Sequence, residues 1–139
     1  ISDIDIANRH WGSRSRYAYA YKTLLDANTR LAFGSDAPVE TPNPFLGLHA
    51  AVNRTRPSGY PGHEGWHPEQ RLSLEQALAA FTTGPAFAAG LEDRLGQLSP
   101  GYFADLIVLE DDPFATPPEN LHQCGPAATM VAGKWVWRQ

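Results

Sequence analysis

Leu31-Ala32-Phe33-Gly34-Ser35-Asp36-Ala37-Pro38-Val39-Glu40 (LAFGSDAPVE, residues 31–40) is the stretch whose reading decides the fold. The apolar run Leu31–Phe33 is short enough for a buried strand, and Gly34 and Ser35 end it where the backbone turns. Asp36 follows at once, and Pro38 cannot continue a central strand. Barrels and open sheets of the α/β class place catalytic groups just past the C-terminal ends of such strands. Asp36 is therefore the first candidate for chemistry. The competing reading makes it a turn cap, a common place for aspartate.

Working outward, residues 17–28 carry apolar side chains at helical spacing (Tyr17, Ala20, Tyr21, Leu24, Leu25) and predict a helix stopped at Asn28. Pro44–Arg54 reads as a second helix with proline in its first turn. Thr55–Arg71 holds three prolines and three glycines and is a loop. Ser73 and Gln76 form an S-x-x-Q capping box in front of the apolar stripe Leu74, Ala77, Leu78 and Phe81. Gly84 and Pro85 are expected to interrupt this layer, which the AFAAG segment completes.

From Arg94 the pattern changes to β. Pro100 and Gly101 occupy the central positions of a type II turn, Ala104–Glu110 reads as a strand, and Thr129–Trp137 as a hairpin turning near Gly133. Trp135 and Trp137 share one face of the last strand and are expected to fill a core. One buried strand among several helices is too few for a self-contained α/β domain, because a sheet needs partners. The chain reads as incomplete, and its start at Ile1 rather than Met points the same way.

Composition narrows the classes further. A hydrophobic content of 42% with 19% charged residues is that of a globular protein, and a net charge of −4 with scattered basic residues argues against nucleic-acid or anionic-membrane partners. No apolar run approaches the roughly 20 residues of a membrane span. The single cysteine, Cys124, excludes an internal disulfide and a cysteine-built zinc cage. It is expected to be an inert thiol, and the location cytoplasmic.

Five segments occur together in order: LLDANTRLAFGSDAPVE, NPFLGLHAAVNR, LSLEQALAAFTTGPAFAAG, LGQLSPGYFADLIVLEDDPF and MVAGKWVW. In this combination the chain resembles the C-terminal end of metal-dependent amidohydrolases, in the branch known as amidohydrolase family 3 (YtcJ-like). The resemblance implies an α/β fold: the C-terminal fragment of a TIM barrel, with Leu31–Phe33 as its last strand, plus part of a small β-sandwich. Residues 1–93 would belong to the barrel domain and 94–139 to the sandwich. It also implies hydrolysis of a C–N bond in a small amide or cyclic amide by water activated on a divalent metal, zinc in the usual case. Asp36 matches the position that binds metal and passes the water's proton to the leaving amine. The family's histidine and lysine ligands have no counterpart here. One carboxylate cannot hold zinc, so no bound metal and no activity are expected of this chain without the missing N-terminal barrel segment.

Two other readings compete. His63-Glu64-Gly65-Trp66-His67 spells H-E-x-x-H, the zinc-protease pattern, in which two histidines one helical turn apart face a metal and the glutamate activates water. Pro61, Gly62, Gly65 and Pro68 place it in a loop instead, where it is expected to be fortuitous. The third reading is a non-catalytic module that associates through open sheet edges. Such edges and an unfilled barrel position leave apolar surface, so a homo-oligomer is expected. His49 is expected to be buried structure, and His10, Asp3 and Asp5 to lie in a loop near the active face. No substrate-binding residue is assigned.

Overall fold

The computed structural model describes residues 1–139. Ile4–Trp11 forms helix α1, with Ile4 and Ala7 buried, and a 3-10 segment, Gly12–Tyr17, follows it. Asp3, Asp5 and His10 were expected to lie in a loop, yet Ile4, Ala7 and Trp11 around them fall at helical spacing. The expected helix over 17–28 contracts to α2, Tyr21–Asp26. The cause is Tyr19, held at φ 53°. Its hydroxyl donates to Asp3 Oδ2 at 2.7 Å and its ring leans on Trp66 at 5.9 Å between centroids. Contacts distant in sequence thus override local helical preference.

Leu31–Phe33 is not a strand, which corrects the expectation. The segment has no ladder, because the chain supplies no neighbour to pair with it. It is nevertheless firmly placed. The Phe33 N–H donates to the Ala80 carbonyl at 2.7 Å. The Phe33 ring sits edge-on between Tyr21 (4.8 Å) and Phe81 (5.5 Å).

Helix α3, Pro44–Asn53, is built as the sequence predicts, with Pro44 in the first turn and the Asn43 side chain accepting from the Phe45 N–H. It ends at Arg54, whose φ of 59° is left-handed. Residues 55–71 are loop apart from a short 3-10 turn, Pro68–Gln70. Both arms of the Ser73–Gln76 capping box form at the start of α4, Leu74–Phe81. Gly84 and Pro85 do not break the layer. They lie in the first turn of α5, Thr83–Ala88, where a missing N–H costs nothing, and the break falls at Thr82.

Three antiparallel strands close the chain in the order β1 (Leu106–Leu109), β2 (Pro126–Val131) and β3 (Lys134–Arg138). Gly101 at φ +93° and the Tyr102 N–H to Ser99 carbonyl bond of 3.0 Å complete the type II turn. Ala132 (φ 49°) and Gly133 (φ 75°) form the two-residue hairpin turn, with positive φ at both positions as a type I′ turn requires. Trp135 and Trp137 do not fill a core. They are 41% and 46% exposed, because nothing in this chain packs over the sheet as a second layer.

Only 19 of 139 residues are buried, too few for a core that spans the molecule. The main cluster joins Phe45, Leu48 and Ala51 of α3 to Leu72, Ala77 and Cys124. A smaller one holds Ile4, Ala7, Ala18 and Trp66. Gly84 lets the α4–α5 corner reach the 31–33 segment, since a β-carbon there would collide with the Leu31 carbonyl. That neighbour is backbone and cannot swing aside. Gly84→Ala should destabilise the fold by about 3 kcal/mol, read as a lower denaturant midpoint with an unchanged slope.

Candidate active site

Asp36 is the first residue beyond the anchored 29–35 segment. Its φ of 52° is left-handed, a conformation aspartate tolerates better than most residues. Its carbonyl accepts from the Val39 N–H at 2.9 Å, which folds the following residues into a tight turn. The residue is exposed. The two residues before it, Gly34 and Ser35, line a cavity of about 580 Å³. The opposite wall is α3, through Leu46, Gly47 and Ala50. Tyr19, Tyr21 and Trp66 contribute aromatic surface. The hydrogen bond from Tyr19 to Asp3, with burial behind it, pushes the Tyr19 phenol up to about 12, so it remains protonated at neutral pH.

Arg54, which the sequence reading did not single out, also lines this cavity. It is 3% exposed. Nε donates to the Trp66 carbonyl at 3.0 Å, and the guanidinium lies 5.4 Å from the Trp66 ring centroid. Nη2 is buried and has no hydrogen-bond partner. Burial pulls its pKa below the usual arginine value, partly offset by Tyr21 and Glu69. One signal was available: Arg54 falls four residues after Ala50 and eight after Leu46, on the helix side that faces the cavity.

The loop beyond Arg54 is stitched at its neck. The Trp66 N–H donates to the Arg54 carbonyl at 2.8 Å, the Arg56 N–H to the Tyr60 carbonyl at 2.8 Å, and the Trp66 indole to Asn8 Oδ1 at 3.1 Å. This places the H-E-x-x-H residues apart. The His63 and Glu64 side chains, 96% and 82% exposed, touch each other at 3.1 Å. His67, at φ 51°, turns away to Ser15 Oγ at 3.3 Å and Glu69 at 3.6 Å. No helix unites the two histidines, so the zinc-protease geometry is absent from this segment. No group of three or more His, Cys, Asp or Glu side chains in the chain is arranged to hold a metal ion. The residues present do not compose a metal centre around Asp36.

Of the remaining candidates, all but His10 have structural partners. Asp3 accepts from Tyr19, and Asp5 from Arg56 at 3.1 Å and from Tyr60. His10 is exposed in the last turn of α1. Cys124 is buried, with Sγ 3.9 Å from Thr116 Oγ1. His49 is 2% exposed, pairs with Thr55 Oγ1 and Asn53, and meets the His122 ring edge-on at 4.9 Å.

With the geometry in hand, the comparison with known sequences is decisive. The profile of the amidohydrolase family matches residues 3–137. The chain belongs to the amidohydrolase family. YtcJ of Bacillus subtilis (strain 168) is 33% identical over 134 residues, which are 96% of this chain and 25% of that protein. The N-substituted formamide deformylase of Arthrobacter pascens is 30% identical over 115 residues, 83% of this chain and 20% of that enzyme. The crystal structure of an amidohydrolase from Thermotoga maritima superposes with a TM-score of 0.62 at 23% identity, covering 87% of this chain and 26% of that one. The fold is therefore that of part of an amidohydrolase. The chain spans about a quarter of the length of the curated relatives it matches. No helix is long and apolar enough to cross a membrane.

The buried His49 gives a pH prediction. Burial first, and His122 second, lower its pKa from the usual 6.5. The unfolded chain therefore binds a proton more readily than the folded one below about pH 6.5, and stability falls as pH drops through that value toward the folded pKa. Denaturant titrations between pH 7.5 and 5 should show this loss, at a slope of at most about 1.4 kcal/mol per pH unit for one proton. His49→Gln should reduce the loss, the remainder coming from the Ile1 amine, whose pKa burial also lowers.

Proposed function

We propose that this chain is the C-terminal part of an amidohydrolase that cleaves the C–N bond of a small amide or cyclic amide, with Asp36 as its proton-transfer carboxylate. The position of Asp36 carries the reading. It follows the backbone segment anchored on α4, beside the cavity, in a chain matched to the family over residues 3–137. Similarity to an N-substituted formamide deformylase supports the choice of bond.

In this account water attacks the substrate carbonyl carbon while Asp36 accepts one of its protons. The C–N bond then breaks as Asp36 returns that proton to the departing nitrogen, leaving a carboxylic acid and an amine. The family's divalent metal, zinc in the expectation above, does not fit the residues of this chain. It is assigned to the further three quarters of sequence that the relatives carry, and no step here runs through it. On the same reading residues 1–93 belong to the catalytic domain and 94–139 to a small β-domain. The chain by itself is inactive.

Joined to residues equivalent to that upstream portion, the protein should hydrolyse members of a panel of N-substituted formamides and cyclic amides. Asp36→Asn should lower kcat by about 10²–10⁴-fold with little change in KM, and His63→Ala should leave both unchanged. Full activity in Asp36→Asn removes the assignment. Loss of activity in His63→Ala would restore the protease reading.

A further inference from the structure

The C-terminal strands meet the helical part of the chain through one main packed seam, α3 against a 3-10 turn, Pro118–Gln123. His49 on α3 and His122 on the turn meet edge-on across it, 4.9 Å between ring centroids. Asn53 ties the same seam. Its Nδ2 donates to the Pro118 carbonyl at 2.7 Å and to the His49 carbonyl at 3.2 Å. Carbonyl oxygens only accept, so the amide nitrogen must face them, and His49 Nδ1, 3.2 Å from that nitrogen, is an acceptor on a neutral ring. Its Nε2–H is left to donate to Thr55 Oγ1 at 3.3 Å.

We propose that the His49–His122 pair, with the Asn53 amide bridging His49 to Pro118, is a proton-operated latch that releases the 118–124 turn from α3 in mild acid. A proton on His49 Nδ1 sets two donors face to face and expels the Asn53 amide. Turning that amide over gives the ring an acceptor, but points an oxygen at the Pro118 carbonyl. On the other ring, His122 Nδ1 is buried without a partner, so a proton there has no acceptor in the closed seam. Two charged rings this close also repel. The chain's histidine–carboxylate pairs are His63–Glu64 and His67–Glu69, so neither seam ring has an acid partner. Around His49 the neighbouring elements carry Arg54, Arg56, Glu75, Glu119, His122 and Cys124. Of these side chains only His122 acts on its charge, and it opposes a proton as burial does; the backbones of Arg56 and Pro118 favour one but are outweighed. The open seam therefore binds protons more readily than the closed one, and opening is favoured as pH falls. Because α3 also carries Leu46, Gly47 and Ala50 of the cavity wall, the latch couples acidity to the seating of that wall. The inference does not depend on the reaction proposed above.

Cys124 reports on the seam, where it is buried against Phe45, Leu48 and Ala51. The 139-residue chain is labelled with 4,4′-dithiodipyridine, which modifies thiols in mild acid, at steps from pH 7.5 to 5. Each rate is divided by that of the urea-unfolded chain at the same pH. The normalised rate should rise at least about tenfold, the change one proton gives over one pH unit. Over the same range the Ala77 amide, bonded to the Ser73 carbonyl at the start of α4, should keep its protection from hydrogen exchange. His122→Gln and His49→Gln should each remove most of the rise. A flat rate, a rise that tracks loss of Ala77 protection, or an undiminished rise in His122→Gln overturns the proposal. The wild-type profile and His122→Gln decide the matter even if His49→Gln does not fold.

Discussion

The seat of α3 is the constraint on which the rest depends. Phe45, Leu48 and Ala51 face Leu72 and Ala77 on one side and Cys124 on another, so one ten-residue helix joins the central helices to the C-terminal part of the chain. The inner end of this helix carries Arg54, and its cavity-facing side carries Leu46, Gly47 and Ala50. The core and the cavity wall therefore share a single element. Displacing α3 would open the cavity and loosen the sheet's attachment together.

Electrostatics around this element are divided by burial. Exposed pairs such as Lys22–Asp26 and Arg94–Asp93 lie in water and contribute little. Arg54 and His49 lie at the end and on the inner side of the same helix, where desolvation governs. Burial disfavours the charged form of both. Histidine answers by staying neutral, its ring nitrogens facing Thr55 and Asn53. Arginine cannot readily lose its proton, so its cavity keeps a positive charge.

What could be read from the sequence was what local chemistry encodes. Ser73 and Gln76 satisfy each other's backbone within four residues, and Pro100–Gly101 fixes its own turn. The hairpin needs only two residues able to adopt positive φ. The H-E-x-x-H stretch was legible as loop because Pro61, Gly62 and Pro68 bar a helix. Strand character at Leu31–Phe33 was not decidable from those residues, because a strand is defined by neighbours the chain does not hold. Tyr19 broke its helix through a bond to Asp3, sixteen residues earlier. Arg54 escaped notice because its burial arises from Trp66, brought back by a loop whose path no periodicity reveals. Asp36 was singled out by its place after the apolar run, a criterion that does not need the strand ladder to form.

The stitched neck at Arg54 and Trp66 has an evolutionary consequence. Because the Trp66 N–H and the Arg54 carbonyl hold the two ends together, residues 55–65 form a tether whose span stays constant whatever its length. Doubling such a tether costs only about 0.6 kcal/mol in closure entropy. Insertions near Ser58 or His63 would thus be nearly neutral for the scaffold. Chains that share this framework can lengthen the loop, one insertion at a time, without renegotiating the helices beneath.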